Sequence, residues 1–222
     1  MLDAFGTLVA MEPPAPRLRA ELARRAGLDV GAEAAEAAFG AEIAFYVEHH
    51  LEGRDAGSLE RLRDRCAAIV AGSLDVPGLE PGTVREAMLA AIRFEAQPDA
   101  SGALRALRSC GARLVVASNW DCSLADVLAG AGLLALVDGV VSSALAGAAK
   151  PDRAVFEAAL ALAGAPAEEA VHVGDSPDHD VAGARAAGLR AILLDRRGVA
   201  TAAQVPVVQR LDELPSLLFG TA

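Results

Sequence analysis

Lysine is almost missing from this chain of 222 residues. It carries 20 basic side chains, and only Lys150 among them is a lysine. Guanidinium is broad and planar while ammonium is a compact point charge, so a lone lysine marks a position where arginine will not serve. Cysteine is scarce as well. Cys66, Cys110 and Cys122 are odd in number and widely spaced, which excludes a disulfide framework and a cysteine metal cluster and fits a reducing, cytoplasmic compartment. Runs such as Leu114–Ala117 and Leu133–Val137 fall far short of the ~20 apolar residues a membrane-spanning helix needs. The start of the chain has no basic segment followed by an apolar run, so no secretory signal is read. Positive charge is outweighed, 20 basic against 30 acidic residues for a net charge of −10. That balance excludes nonspecific binding to nucleic acid or anionic lipid as the expected function.

What is present is apolar: 53% of the residues are hydrophobic, enough to bury a core. The sequence has two textures. From Pro14 to Glu95 it is rich in Ala, Leu, Glu and Arg with helical periodicity. Helices are read at Arg17–Ala26, stopped by Gly27, and at Ala32–Leu51, stopped by Gly53. A third opens at Ser58 and runs to Ala71, and a fourth, capped by Thr83, runs to Phe94. After Pro98 short apolar runs alternate with helical patterns. The runs are Arg113–Ser118, Gly139–Ser143, Ala170–Gly174, Leu189–Leu194 and Val205–Val208. Helices are expected at Ala100–Ser109, Cys122–Ala129, Arg153–Ala163 and Val181–Ala187. Continuous Val/Leu/Ile runs belong to strands buried on both faces, hence to a parallel sheet wrapped by helices. The expectation is an α/β fold, a Rossmann-like doubly wound parallel sheet, with an all-helical insert. The core domain is 1–13 plus 97–222 and the insert 14–96.

Ligands of such sheets bind at the carboxyl ends of the strands. Asp3 follows Met1-Leu2, Ser118 and Asn119 end the run 113–118, Lys150 lies in the loop after 139–143, and Asp175 follows 171–174. Together these groups suit attack on an electrophile that bears negative charge. A carboxylate can act as nucleophile, hydroxyl and amide groups can bind anionic oxygens, and Lys150 can neutralise developing charge. Asp3 and Asp175 in proximity repel unless a cation lies between them, and Mg²⁺ is the hard cation that suits phosphate chemistry. Gly6 and Thr7 form the turn after Asp3, where backbone N–H groups can face an anion.

The series Asp3-Ala4-Phe5-Gly6-Thr7-Leu8, Ala117-Ser118-Asn119, Lys150-Pro151 and Gly174-Asp175-Ser176 with Asp180 resembles the four motifs of the haloacid dehalogenase superfamily, in order and over the whole chain. The run Val171–Ser176 followed by Asp180–Arg185 resembles the subgroup with a small helical cap, mostly phosphatases. The resemblance implies Asp3 as nucleophile and metal ligand, with the Phe5 backbone carbonyl, Asp175 and Asp180 as further Mg²⁺ ligands. It implies Lys150, Ser118, Asn119 and Thr7 as the groups that bind the phosphoryl oxygens, and a small anionic phosphate ester as the substrate. Asp178 is a rival to Asp180 but reads as a turn or capping residue.

One position departs from the pattern. Phosphatases of the family have a second Asp two residues after the nucleophile, which protonates the leaving oxygen and later activates water; here it is Phe5. General acid–base help is worth roughly 10²–10⁴-fold, so a phosphatase with Phe5 is expected to be slow unless another group substitutes. His172 is expected to be buried in a strand, which leaves His49 and His50 of the insert as candidates. Two alternatives follow, a metal-independent 2-haloacid dehalogenase, in which halide leaves unaided, and a non-catalytic relative that binds an anion. Only Met1 and Leu2 precede Asp3, so the central strand is expected to begin upstream of this sequence. In the insert, Glu42, Tyr46 and His50 share one helix face. It reads either as a packing face or as a specificity face on which Arg54 pairs a substrate carboxylate. Trp120 reads equally as a pocket wall or as packing, and no heptad seam defines an oligomer.

Overall fold

The computed structural model describes residues 1–199 and 204–220. It divides into two compact units, Met1–Ala10 with Glu95–Ala222, and Met11–Phe94. Residues 200–203 and 221–222, assigned above to the core domain, lie outside the described residues.

Strand β1 (Val9–Met11) pairs with β2 (Phe94–Ala96), and four helices separate them in sequence. Helix α1 (Pro14–Ala26) begins with proline in its first turn, where a missing N–H costs nothing. It ends at Gly27, whose φ of 67° lets its N–H reach back to the carbonyls of Leu22 and Ala23. Helix α2 (Ala32–His49) gives way to a 3-10 turn at His50–Glu52 before Leu51 is reached as helix. Helix α3 (Ala56–Leu74) opens two residues before Ser58 because Asp55 is the cap. Its carboxylate accepts from the Ser58 N–H and the Ser58 hydroxyl accepts from the Asp55 N–H. Helix α4 (Pro81–Ala91) starts at Pro81, so Thr83 lies inside the helix and is not its cap, and Phe94 belongs to β2. Leu18, Leu22, Phe39, Leu62, Val70 and Met88 form the core of this helical unit. Glu42 and His50 are buried and Tyr46 packs against the same core, so the face they share is a packing face. Burial raises the Glu42 carboxyl above its ordinary range, and the hydrogen bond with Cys66 only partly opposes it.

The unit of Met1–Ala10 and Glu95–Ala222 continues with α5 (Ala100–Ser109), β3 (Val115–Ser118), α6 (Leu124–Gly130), β4 (Gly139–Ser142), α7 (Ser143–Ala146) and α8 (Arg153–Ala163). After β5 (Val171–Gly174) a π-helical turn at Pro177–Ala182 runs into α9 (Gly183–Ala186). Then come β6 (Arg190–Leu194), β7 (Val207–Val208) and α10 (Leu214–Phe219). β3 pairs with β4, β5 with β6, and β6 with β7, all parallel. The N-terminal segment lies between β3 and β5, since Leu2 bridges both Val116 and Val173. Four backbone hydrogen bonds hold it there. The N–H groups of Leu2 and Asp3 donate to Val115 and Val173, and those of Ala117 and Val173 donate to Leu2 and Met1. The order is thus β4-β3-Leu2-β5-β6-β7, a Rossmann-like α/β core as the apolar runs imply. One cluster packs α8 residues Val155 and Ala159 against Val115, Ala117 and Val141. Another packs Phe156 with Ala184, Ala187, Leu189 and Ala191. Among the described residues no helix is long and apolar enough to cross a membrane.

Candidate functional site

Three groups of the site lie where a strand stops, and two lie in the segments that follow. Asp3 is the first residue beyond the Leu2 bridge. Ser118 ends β3, and Asp175 follows β5. Asp180 lies in the π-helical turn, an irregularity often found at functional sites. Lys150 is the last residue before the segment that opens α8.

These side chains meet. The Lys150 ammonium, 2% exposed, donates to Asp3 Oδ1 at 2.6 Å and to Asp180 Oδ1 at 2.5 Å. The Ser118 hydroxyl donates to the same Asp3 oxygen at 2.8 Å. The Ser176 N–H donates to Asp180 Oδ2 at 3.0 Å. One carboxylate oxygen from each of Asp3, Asp175 and Asp180 lies within 4.8 Å of the other two, with Asp175 the exposed member. Two glycines permit this closeness. Gly6 has φ of 77°, and a Cβ there would stand 2.2 Å from Asp175 Oδ2; a Cβ on Gly174 would stand 2.2 Å from the Asp180 carboxyl carbon.

The electrostatics follow from three carboxyls facing one ammonium. Burial, joined by the negative charge of Asp180, raises the Asp3 carboxyl to about 6 against the pull of Lys150 and Ser118. Burial and Asp180 raise Asp175 as well. Desolvation works against the Lys150 ammonium, yet Asp3 and Asp180 outweigh it and raise its pKa. Desolvation also works against an ionised Asp180, but the hydrogen bond to His172 and the charge of Lys150 hold it well below the usual carboxylate range. The negative charge in excess and the hard oxygen donors are what a divalent cation such as Mg²⁺ takes, so the residues present fit that ion.

The Gly6-Thr7 turn and Asn119 make contacts that the sequence reading did not contain. Thr7 is fully buried, its Oγ1 has no hydrogen-bond partner among the described residues, and its N–H donates to the Ala4 carbonyl. The Gly6 N–H likewise donates to Val9. The turn closes on itself and does not present those N–H groups to an anion. Asn119 is turned to the backbone of Lys150. Its Nδ2 donates to the Lys150 carbonyl at 3.0 Å and its Oδ1 accepts from the Lys150 N–H at 2.7 Å, so it locates the lysine and keeps one amide hydrogen outside that pairing. Asp178 lies within the π-helical turn, in keeping with its reading as a turn residue, and the cap of that turn is Ser176, whose hydroxyl accepts from the His179 N–H.

Of the remaining candidates, Phe5 is 48% exposed and its ring centroid lies 6.5 Å from that of the buried Trp120. His49 and His50 belong to the helical unit, where their Nδ1 atoms pair with the Phe45 and Val47 carbonyls. Two participants escaped the sequence reading. His172 is buried as expected, yet its Nε2 lies 2.9 Å from Asp180 Oδ1. Burial and Lys150 lower its pKa to about 4 against the Asp180 contact. It is therefore neutral at pH 7, and facing a carboxylate its Nε2 carries the proton. The signal was a histidine between valines on the strand that delivers Asp175. Arg196, after β6, binds the carbonyls of Gly6 and Thr7; only its place at a strand's carboxyl end could have flagged it.

A pairing this buried carries a stability prediction. Removing one partner of a buried ion pair leaves uncompensated charge and costs about 3–5 kcal/mol. Lys150→Ala strands Asp3 and Asp180 together, so urea unfolding in EDTA is expected to show a loss of that size. A loss under ~1 kcal/mol would mean that solvent reaches the pair.

The family model for "haloacid dehalogenase-like hydrolase" matches residues 1–188. Haloacid dehalogenase-like hydrolase domain-containing protein 3 of Danio rerio is 39% identical over 129 residues, 56% of this chain and 53% of that protein. The phosphoserine phosphatase of Thermus thermophilus is 40% identical over 105 residues, 47% of this chain and 42% of that one. The chain thus spans about half the length of the curated relatives it matches. Among solved structures, the 2-haloacid dehalogenase from Pseudomonas syringae pv. Tomato superposes with a TM-score of 0.69 at 25% identity, covering 98% of this chain and 96% of that one.

Proposed function

The chain belongs to the haloacid dehalogenase-like hydrolases, and from that premise we propose that it hydrolyses phosphate monoesters of small molecules with Mg²⁺, through a covalent intermediate on Asp3. The observation that carries the reading is the convergence of Asp3, Asp175 and Asp180 within 4.8 Å around a buried lysine. Similarity to a phosphoserine phosphatase supports phosphate as the group transferred.

Asp3, Asp175, Asp180 and the Phe5 backbone carbonyl are the proposed ligands of Mg²⁺, which would supply neutralising charge to the phosphoryl oxygens and the carboxylates. Among the described residues both side-chain hydrogen bonds to Asp3 land on Oδ1, so Oδ2 is the oxygen assigned to attack. A bond forms from Oδ2 to phosphorus as the bond from phosphorus to the leaving oxygen breaks. Water then attacks phosphorus, releases inorganic phosphate and restores the carboxylate. Lys150 and Ser118 orient Asp3 and, on arrival of substrate, can turn a proton toward its anionic oxygens. Asn119 holds the lysine backbone in place for this work.

Phe5 and the similarity to a 2-haloacid dehalogenase favour a second reading, halide displacement by Asp3 without a metal. The exposed Asp175 carboxyl beside Asp3 and Asp180 favours the first. One panel separates them. Phosphate release from p-nitrophenyl phosphate is expected with Mg²⁺ and is expected to stop in EDTA. Chloride release from 2-chloropropionate that persists in EDTA, without phosphatase activity, would replace the first reading by the second.

A further inference from the structure

Residues 195–198 form a turn at the carboxyl end of β6, closed by the Gly198 N–H donating to the Asp195 carbonyl, with Gly198 at φ of 66°. This turn lies beyond the residues that the family model matches. It projects Arg196 across the sheet edge. The Arg196 Nε donates to the Gly6 carbonyl at 3.2 Å and Nη2 to the Thr7 carbonyl at 2.8 Å. The other side of the fork grips Asp99, Nη1 to Oδ2 and Nη2 to Oδ1, both at 3.0 Å. Asp99 is itself buried and its Oδ2 also accepts from the Leu211 N–H at 2.8 Å. One guanidinium thus joins four stretches of chain that are remote in sequence.

The N–H groups of Gly6 and Thr7 are satisfied within their own turn, whereas the carbonyls of those residues are satisfied by Arg196. The same turn touches Asp175, since the α-carbon of Gly6 leaves no room for a Cβ beside that carboxylate. A displacement of the turn by a few tenths of an ångström therefore reaches both the Phe5 carbonyl and Asp175. The guanidinium makes four hydrogen bonds here from a planar fork, one more than the three N–H groups of an ammonium can make and in a geometry its point charge does not fix.

We propose that Arg196 is a positioning residue, a clamp that fixes the turn after Asp3 so that the Phe5 carbonyl and Asp175 are held ready for the metal. The part of this that concerns metal and turnover rests on the function proposed above; the ordering of the turn does not.

The test uses the full chain with Arg196→Gln and Arg196→Lys. Amide hydrogen exchange in a peptide spanning residues 4–9 is expected to quicken about 10-fold or more in both variants, as the turn opens locally. The Mg²⁺ concentration that gives half of the metal-induced rise in Tm is expected to increase about 10–100-fold, the size of effect seen when partners of metal ligands are removed. The KM for p-nitrophenyl phosphate stays near that of the parent while kcat falls. Arg196→Lys recovers global Tm in part but not the Mg²⁺ midpoint. If Arg196→Gln fails to fold, Arg196→Lys alone carries the comparison. Exchange and Mg²⁺ midpoint both equal to the parent's, with only global Tm lowered, would overturn the clamp. If the parent itself shows no response to Mg²⁺ and no turnover, the proposed function has failed, and the exchange rates alone decide whether Arg196 orders the turn.

Discussion

Asp3→Asn is expected to lower phosphate release by about 10⁴-fold or more, because an amide oxygen is a poor nucleophile and no covalent intermediate can form. The shape of the site survives the change. The amide oxygen can still accept from Ser118 and Lys150, and Lys150 keeps Asp180 as its counter-charge at 2.5 Å. Loss of activity should therefore come without loss of fold, and the sign of the stability change is itself diagnostic. Burial and Asp180 raise the folded-state pKa of Asp3 from 3.8 to about 6. A group raised in this way adds stability that is fully present below pH 3.8 and is lost as pH rises through 6. At pH 7.5 in EDTA the parent holds an ionised carboxylate that its surroundings disfavour, and the asparagine variant does not. The variant is expected to melt above the parent at pH 7.5, with the advantage shrinking toward pH 4 as Asp3 protonates. Mg²⁺ should raise the Tm of the variant less than that of the parent. A variant that still turns over would remove Asp3 from the chemistry altogether.

The strand-end rule explains why much of this arrangement could be read from the chain. An apolar run of four to six residues in a parallel sheet is covered on both faces, so a polar side chain reaches a ligand from its end. Ser118 and Asp175 were placed at an edge by that fact, and the structure brings them to Asp3 and Lys150. The helices Ala100–Ser109 and Arg153–Ala163 have the bounds that their apolar spacing implies. The central strand was harder to read, because Leu2 holds its place through hydrogen bonds to two neighbours, and nothing in Met1-Leu2 announces long-range pairing. Thr83 misled for a physical reason. A threonine near a helix start looks like a cap, but Pro81 fixes the backbone one turn earlier.

Within the site, residue type was legible and orientation was not. Asn119 and Thr7 are polar and lie beside the right motifs, yet one is bonded to the Lys150 backbone and the other is sealed from solvent. A motif gives the position of a Cα; which way the side chain turns depends on partners remote in sequence. His172 shows the converse. Burial in a strand was foreseen, but its contact with Asp180 depends on the π-helical turn that brings residue 180 back beneath β5. Arg196 required the placing of the β6 end near the turn after Asp3, with β5 between them, which no local pattern contains.

The second large effect is a gain. Phe5→Asp is expected to raise phosphatase turnover by roughly 10²–10⁴-fold, the usual worth of a positioned general acid and base. The ring it removes is 48% exposed, so no cavity is left in the core, and the backbone carbonyl assigned to the metal is unchanged. The Phe5–Trp120 contact at 6.5 Å is lost, which costs about 0.5–1.5 kcal/mol at most for an aromatic pair. Leaving-group dependence separates the causes. In the parent no acid at position 5 protonates the departing oxygen, so rates should fall steeply as the leaving alcohol becomes more basic, from p-nitrophenyl to alkyl phosphates. In Phe5→Asp that slope should flatten, with the greatest gain on the alkyl esters. An added carboxyl brings a fourth acidic side chain to the cluster, and the Mg²⁺ requirement should persist. Equal rates for parent and variant across the series would show that proton transfer does not limit the reaction, and halide displacement, which needs no proton on its leaving group, would become the better account of an aromatic residue at this position.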